Sequence, residues 1–171
     1  MLEEIKKHLA GYEIEPITKL NFTQVFEVYD TNQDFFQLVQ GKRATIEIST
    51  HDINALPPNC DIGQKIYVGI WKDGQVAAVL DVIERFPEPT SFWIGLLLVH
   101  GEMHGRQIGS TIVDAVLNAA KISGYKTAQL GVIEHSVKGI AFWHSHGFVT
   151  SRQSGNIVVM AKCILPYKTQ I

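Results

Sequence analysis

Apolar and polar residues alternate from Tyr12 to Ile17 (YEIEPI), the period of a half-buried strand. The period then changes. Phe22, Val25, Phe26 and Tyr29 share one helical face, and Asn21 stands where a side chain can cap that helix. Residues 30–34 (DTNQD) interrupt it, and Phe35, Phe36 and Val39 predict a further helical turn. Residues 44–56 read two ways. ATIEIS alternates as a strand does, whereas HDINAL before Pro57-Pro58 suits a helix end, and the helix is the favoured reading.

From Lys65 the pattern is stronger. KIYVGIW, a Lys72-Asp73-Gly74-Gln75 connection and VAAVLDVIE form a hairpin around an Asp-Gly turn. After FPEPT comes FWIGLLLV (Phe92–Val99), apolar at every position, which predicts a central strand covered on both faces. Ile108, Ile112, Ala115, Val116 and Ala119 then make a helical stripe that ends at Ser123-Gly124. TAQLGVI (127–133) reads as a strand, 138–146 as a short helix stopped by Gly147, and FVTSRQ-SGN-IVVMAKCIL as a closing hairpin. Without repeat or linker, the expectation is one α/β domain over residues 1–171 with a mixed sheet.

Composition narrows the function classes. A formal net charge of −2 argues against nucleic-acid binding, which needs a basic surface. FWIGLLLV is too short to span a bilayer, and MLEEIKKHLA at the start lacks the apolar centre of a signal peptide. A soluble, cytoplasmic protein is expected, with no membrane partner. Cys60 and Cys163 are then free thiols, and Cys60 has no base near it in sequence that would make it a nucleophile. His100 and His104 are four apart and His144 and His146 two apart, but the first pair lies in a loop and the second points to different helix faces, so no metal is expected.

The segment HGEMHGRQIGS (100–110) links the apolar strand to the striped helix. A glycine-bearing loop that opens a helix offers backbone N–H groups and a helix dipole to an anion, and Arg106 adds charge. The Walker Gly-Lys-Ser/Thr is absent, which disfavours a nucleotide-phosphate binder, and no G-x-G-x-x-G follows the strand. LLLV followed by HGEM and HGRQIGS does resemble the L-x-V-x-P-x-x-Q-G-x-G-I-G segment of the GNAT acetyltransferases. Their Q/R-x-x-G-x-G/A signature falls on His104-Gly105-Arg106-Gln107-Ile108-Gly109, and a second family segment, N-x-x-A-x-x-F-Y-x-x-x-G-F, falls on Ser136 to Phe148. The two occur in the family's order with a strand between them. The chain departs from the pattern at His104, Gln107, Gly101 (usually Pro), Ser136 (usually Asn), Gly139 (usually Ala) and Trp143 (often Tyr).

The resemblance implies an acyl-CoA N-acyltransferase fold, α/β (α+β), in which helices flank a central mixed, largely antiparallel sheet. It implies an N-acetyltransferase that moves acetyl from acetyl-coenzyme A directly to a primary amine of a small molecule or peptide, without metal. Amides from His104, Gly105, Arg106, Gln107, Ile108, Gly109 and Ser110 would hold the pyrophosphate. Leu97, Leu98 and Val99 would pair with the pantetheine arm, an amide at Leu98 or Val99 holding the oxyanion. Ser136, Gly139, Phe142 and Trp143 would line the arm. Trp143 cannot protonate the departing thiol, because an indole N–H donates but does not titrate. Asp81, inside an apolar strand, and Glu134, after TAQLGVI, are the candidate bases, with Asp81 favoured and Glu84 and His135 nearby. A coenzyme A-binding protein with little catalysis is the alternative, favoured by Gln107, Ser136 and Trp143. Homodimers are common in the family, and the sequence decides nothing on that point.

Overall fold

The computed structural model describes residues 1–164. The elements run α1 (Leu2–His8), β1 (Glu13–Pro16), α2 (Phe22–Asp30), α3 (Gln33–Gln40), α4 (Ile46–Ser49), β2 (Lys65–Lys72), β3 (Gln75–Glu84), β4 (Ser91–Val99), α5 (Ile108–Ile122), β5 (Thr127–Ile133), α6 (Val137–Ser145), β6 (Val149–Ser154) and β7 (Ile157–Cys163). The sheet has seven strands in the order β1-β2-β3-β4-β5-β7-β6, so β4 is the middle strand. The pairings β1·β2, β2·β3, β5·β7 and β6·β7 are antiparallel, and β4·β5 is parallel. No helix of the described residues is long and apolar enough to cross a membrane.

The chain forms two units of interleaved segments. One comprises Met1–Ala10, Glu84–Ile94 and the chain from Ser110 onward; the other comprises Gly11–Ile83 and Gly95–Gly109. In the second unit Phe22, Val25, Val28 and Tyr29 of α2 join Phe36 of α3 and Tyr67, Val79 and Leu98 in one buried cluster. The stripe read from the sequence is therefore the face that α2 buries. Asn21 does not cap it. Its Oδ1 accepts from the Thr18 amide at 2.8 Å and its Nδ2 donates to the Pro16 carbonyl at 3.0 Å, so the side chain closes the preceding turn instead. Residues 44–56 are helical in part, as α4 followed by a 3-10 turn (Thr50–Ile53), because the Thr45 hydroxyl accepts from the Ile48 amide and starts the turn. The β2–β3 turn has positive φ at both Asp73 (51°) and Gly74 (77°), the I′ geometry that matches strand twist.

In the first unit Phe92 and Phe148 are fully buried, and Phe92 meets Tyr125 edge-on at 5.6 Å. Ile112, Ala115, Val116 and Ala119 of α5 are buried here, as the sequence stripe requires, and Ile108, at the helix start in the second unit, is buried too. The Tyr125 hydroxyl donates to Glu84 at 2.8 Å. Burial and the Glu84 carboxylate push the Tyr125 phenol up to about 12. Neutral Tyr125 thus stabilises the fold below pH 10, and that contribution is lost as pH rises towards 12.

β4 corrects one expectation. Ser91, Phe92, Ile94 and Leu98 are buried, but Gly95 is exposed and Trp93, Leu96, Leu97 and Val99 are half-buried, so the strand is not covered on both faces along its length, least of all from Gly95 onward. The β4·β5 ladder pairs Ser91–Ile94 with Thr127–Leu130. In that register Gly95–Val99 has no partner in β5 among the described residues.

The end of β4 is tied down by α2. Asn32, just past the helix, is buried and donates through Nδ2 to Val28 O and Val99 O, both at 2.8 Å. The Gly101 amide donates to Thr31 Oγ1 at 2.9 Å, and a Cβ at Gly101 would come within 2.6 Å of the Thr31 carbonyl oxygen. Gly101 therefore stands where proline was expected because the loop lies directly on the Thr31 backbone. Gly101→Pro removes that donor and forces the contact apart. The expected loss is about 2–4 kcal/mol, combining an unmade hydrogen bond with overpacking, read as a lower midpoint in urea unfolding.

Candidate active site

The loop after β4 keeps the shape its sequence suggests despite the missing glycine. Gly105 has φ 77° and Gln107 has φ 60°, so Gln107 adopts a left-handed conformation that glycine takes without cost. His104, in place of Gln or Arg, donates from Nε2 to the Val99 carbonyl at 2.9 Å and folds the loop back on the strand that feeds it. His100 caps the 3-10 turn Gly101–Met103, with Nδ1 accepting from the Glu102 amide at 3.3 Å. Both histidines thus serve the loop. No group of three or more His, Cys, Asp or Glu side chains among the described residues could hold a metal.

The backbone of β4 has a direction. The His100 amide donates to Ala77 O of β3 at 2.8 Å, whereas the Val99 carbonyl accepts from Asn32 and His104. Successive residues of a strand turn their backbone groups to opposite sides. Leu98 therefore faces β3 together with His100, and Leu97 and Val99 face away from it.

Asp81, on β3, lies in the same unit and against the same stretch of β4. A Cβ added at Gly95 would meet Asp81 Oδ2 at 3.1 Å, so the carboxylate occupies the space that the glycine leaves open. Lys65, which opens β2, donates to Asp81 Oδ2 at 2.7 Å and to Ala55 O at 2.9 Å. Asp81 Oδ1 is buried without a hydrogen-bond partner. Burial raises the Asp81 carboxyl above the ordinary carboxylate range, against the pull of the Lys65 ammonium. Close by, Tyr29 Oη donates to Asp52 Oδ2 at 3.0 Å and shares a hydrogen bond with Tyr67 Oη. Burial raises Asp52 as well, and raises both phenols far above their ordinary value. Asp81 thus pairs with the Lys65 ammonium and Asp52 with the Tyr29 hydroxyl in a largely buried cluster.

The other named residues belong to the first unit. Glu134 accepts from Gln153 Nε2 at 2.6 Å and lies 3.4 Å from His135, a half-exposed position. Ser136 and Gly139 are a single packing solution, because a Cβ at Gly139 would lie 2.6 Å from Ser136 Oγ and 3.3 Å from Val132. Trp143 packs edge-on against Phe142 at 5.0 Å and Phe148 at 5.2 Å, an apolar wall. Ser110, at the start of α5, lies 3.1 Å from His146 Nε2. Cys60 is half-buried and Cys163 exposed, both as free thiols.

Sequence reasoning named Asp81 but missed Lys65, Asp52, Tyr29 and Tyr67 as its surroundings. A lysine that opens an otherwise apolar strand was the one available signal. The pairing with Asp81 is set by sheet register and could not be read locally.

Residues 26–148 match the model of the acetyltransferase (GNAT) family. Among solved structures, an acetyltransferase from Thermus thermophilus superposes with a TM-score of 0.78 at 20% identity, covering 91% of this chain and 99% of that one. PaiA N-acetyltransferase from Thermoplasma acidophilum, solved in complex with coenzyme A, gives 0.66 at 16% identity over 89% and 98%. The ribosomal-protein-S18-alanine N-acetyltransferase from Escherichia coli gives 0.66 at 10% identity over 94% and 98%. A search of the curated proteins found no match. With the family model covering most of the chain, and a mixed, mostly antiparallel seven-stranded sheet shared with these structures, the protein belongs to the acetyltransferase (GNAT) family.

Proposed function

We propose that this protein transfers acetyl from acetyl-coenzyme A to a primary amine by direct attack. The observation that carries the reading is the second half of β4. Its Leu97 and Val99 backbone groups turn away from β3, and it leads straight into a glycine-bearing loop that opens α5. A pantetheine arm, which carries amides, can pair with such an edge as an added strand. The amides of residues 105–110 then meet the pyrophosphate at the positive end of the helix. The coenzyme A complex of the PaiA enzyme supports this choice of donor.

In this reading the amide of Leu97 or Val99, rather than Leu98, donates to the thioester carbonyl oxygen as it becomes an oxyanion. Asp81 is the base. It stands over Gly95, two residues and therefore roughly 7 Å along the strand from Leu97, room for the attacking amine or one water. An ammonium near pKa 10.4 must lose a proton before attack, and a carboxylate whose proton affinity is raised by burial accepts it better than an ordinary one. The C–N bond forms, the C–S bond breaks, and coenzyme A leaves as a thiolate.

Two outcomes follow. Gly109→Glu places a side chain and a negative charge in the loop, and coenzyme A should then no longer raise the melting temperature; a mutant stabilised as strongly as the parent removes the pyrophosphate assignment. Asp81→Asn should lower kcat/KM by about 10²–10⁴-fold in a free-thiol assay against an amine panel. In the parent, activity should fall as pH drops through a limb lying above the ordinary aspartate value of about 3.9, and that limb should vanish in the variant.

A further inference from the structure

Lys65 opens β2, and its side chain is only 2% exposed. A buried ammonium persists only where its donors find partners. The register sets Tyr67 opposite Asp81 and Lys65 opposite Ile83, so Lys65 is diagonal to Asp81 on one face of the β2–β3 ladder. Diagonal neighbours are roughly 7–8 Å apart, a span that a long side chain covers. Nζ donates to Asp81 Oδ2 at 2.7 Å and to the Ala55 carbonyl at 2.9 Å, and lies 5.1 Å from the Tyr67 ring centre. On the β4 side Oδ2 fills the space over Gly95. The carboxylate is therefore held through one oxygen. Oδ1 is buried and accepts no hydrogen bond from the described residues. A buried carboxylate oxygen without a donor is costly, and its retention points to a task. All of these residues belong to one unit, together with the Leu97–Val99 edge.

We propose that Lys65 is a positioning residue for acyl transfer, taking Asp81 Oδ2 so that Oδ1 is the oxygen that receives the acceptor's proton. The inference rests on the reading of Asp81 as the base. One proton passes from the acceptor ammonium to Oδ1, directly or through one water, and leaves a neutral amine and a neutral Asp81 carboxyl. Lys65 keeps its own charge throughout. The Ala55 carbonyl holds Nζ from outside the hairpin, which fixes the direction of Oδ2 and with it that of Oδ1. The charge has a second effect. Burial raises the Asp81 carboxyl, the Lys65 hydrogen bond and charge lower it, and Asp52 raises it again. Asp52 stands on the 3-10 turn and is bonded to Tyr29 of α2, while Tyr67 of β2, its phenol pushed far up, adds no charge. Among these groups Lys65 is the one cation. It opposes burial and keeps Asp81 free of its proton to lower pH, where a base is still needed.

The test follows kcat/KM against pH in the free-thiol assay, with acetyl-coenzyme A and the amine of the panel that the parent turns over fastest. Lys65→Met keeps the stem and removes the charge. Its acid limb should move up by about 1–3 pH units, the effect of losing an opposite charge at this distance, with KM for acetyl-coenzyme A unchanged. Lys65→Arg restores a charge and should bring the limb back towards the parent's. In the Asp81→Asn background, Lys65→Met should lower activity no further. The same midpoint is read without any acceptor from the Asp81 carboxyl carbon by NMR of aspartate-labelled protein, the signal being assigned by its loss in Asp81→Asn. A limb and a carboxyl midpoint that stay at the parent's pH in folded Lys65→Met overturn the proposal, because a merely structural lysine changes stability alone. If Lys65→Met does not fold, Lys65→Gln takes its place and should show the same upward limb; if neither folds, Lys65 is structural and the proposal falls. If Asp81→Asn keeps the parent's rate and limb, it is the reading of Asp81 as the base that fails, and this inference with it.

Discussion

The carbonyl of Val99 carries two hydrogen bonds, from Asn32 and from His104, and the geometry of the donor loop depends on them. β4 is laddered to β5 only through Ile94, so beyond it the edge that faces away from β3 is held by other contacts. Asn32 provides one from the end of α2, where it is buried and also bonded to its own helix. Thr31 provides the next, accepting from the Gly101 amide. His104 closes the loop back on the strand from the other direction. A strand half that keeps β3 on one side, has no β5 partner on the other and is pinned at its end can offer backbone groups to a ligand without fraying, which is what preorganised catalysis requires.

The departures from the family pattern resolve into local packing. Gly101 lies against the Thr31 backbone, and Gly139 makes room for Ser136 and Val132. Trp143 fills an aromatic corner with Phe142 and Phe148. Gln107 bears a left-handed backbone that glycine would take more easily. None of these changes removes the loop amides on which the proposed pyrophosphate binding rests. The loop itself is held in part by side chains, His104 on the Val99 carbonyl and Thr31 on the Gly101 amide.

Much of this was legible in the chain because it is local. The α5 stripe, the Asp-Gly hairpin and the loop before α5 each follow from period or turn chemistry over a few residues. β4 misled in its second half, because eight apolar residues in a row look the same whether both faces are covered or one is left partly open. Asn21 misled because a donor and an acceptor in the turn before α2 competed for its amide. The surroundings of Asp81 were invisible for a different reason. Lys65 is 16 residues away and Asp52 and Tyr29 are farther, and only sheet register and the packing of α2 bring them together. His146 was set aside as half of an unsuitable histidine pair, when its partners lie on α5.

The far half of β4 and the loop after it are the proposed seat of the donor, and everything else in the mechanism follows from that placement. A crystal structure of the protein with acetyl-coenzyme A tests it most directly. The thioester carbonyl is expected about 3 Å from the amide of Leu97 or Val99, with the pyrophosphate on the amides of residues 105–110. Asp81 is expected to be the carboxylate nearest the thioester, directly or through one water. A pyrophosphate seated elsewhere, or a thioester away from the Leu97–Val99 edge, would contradict this placement.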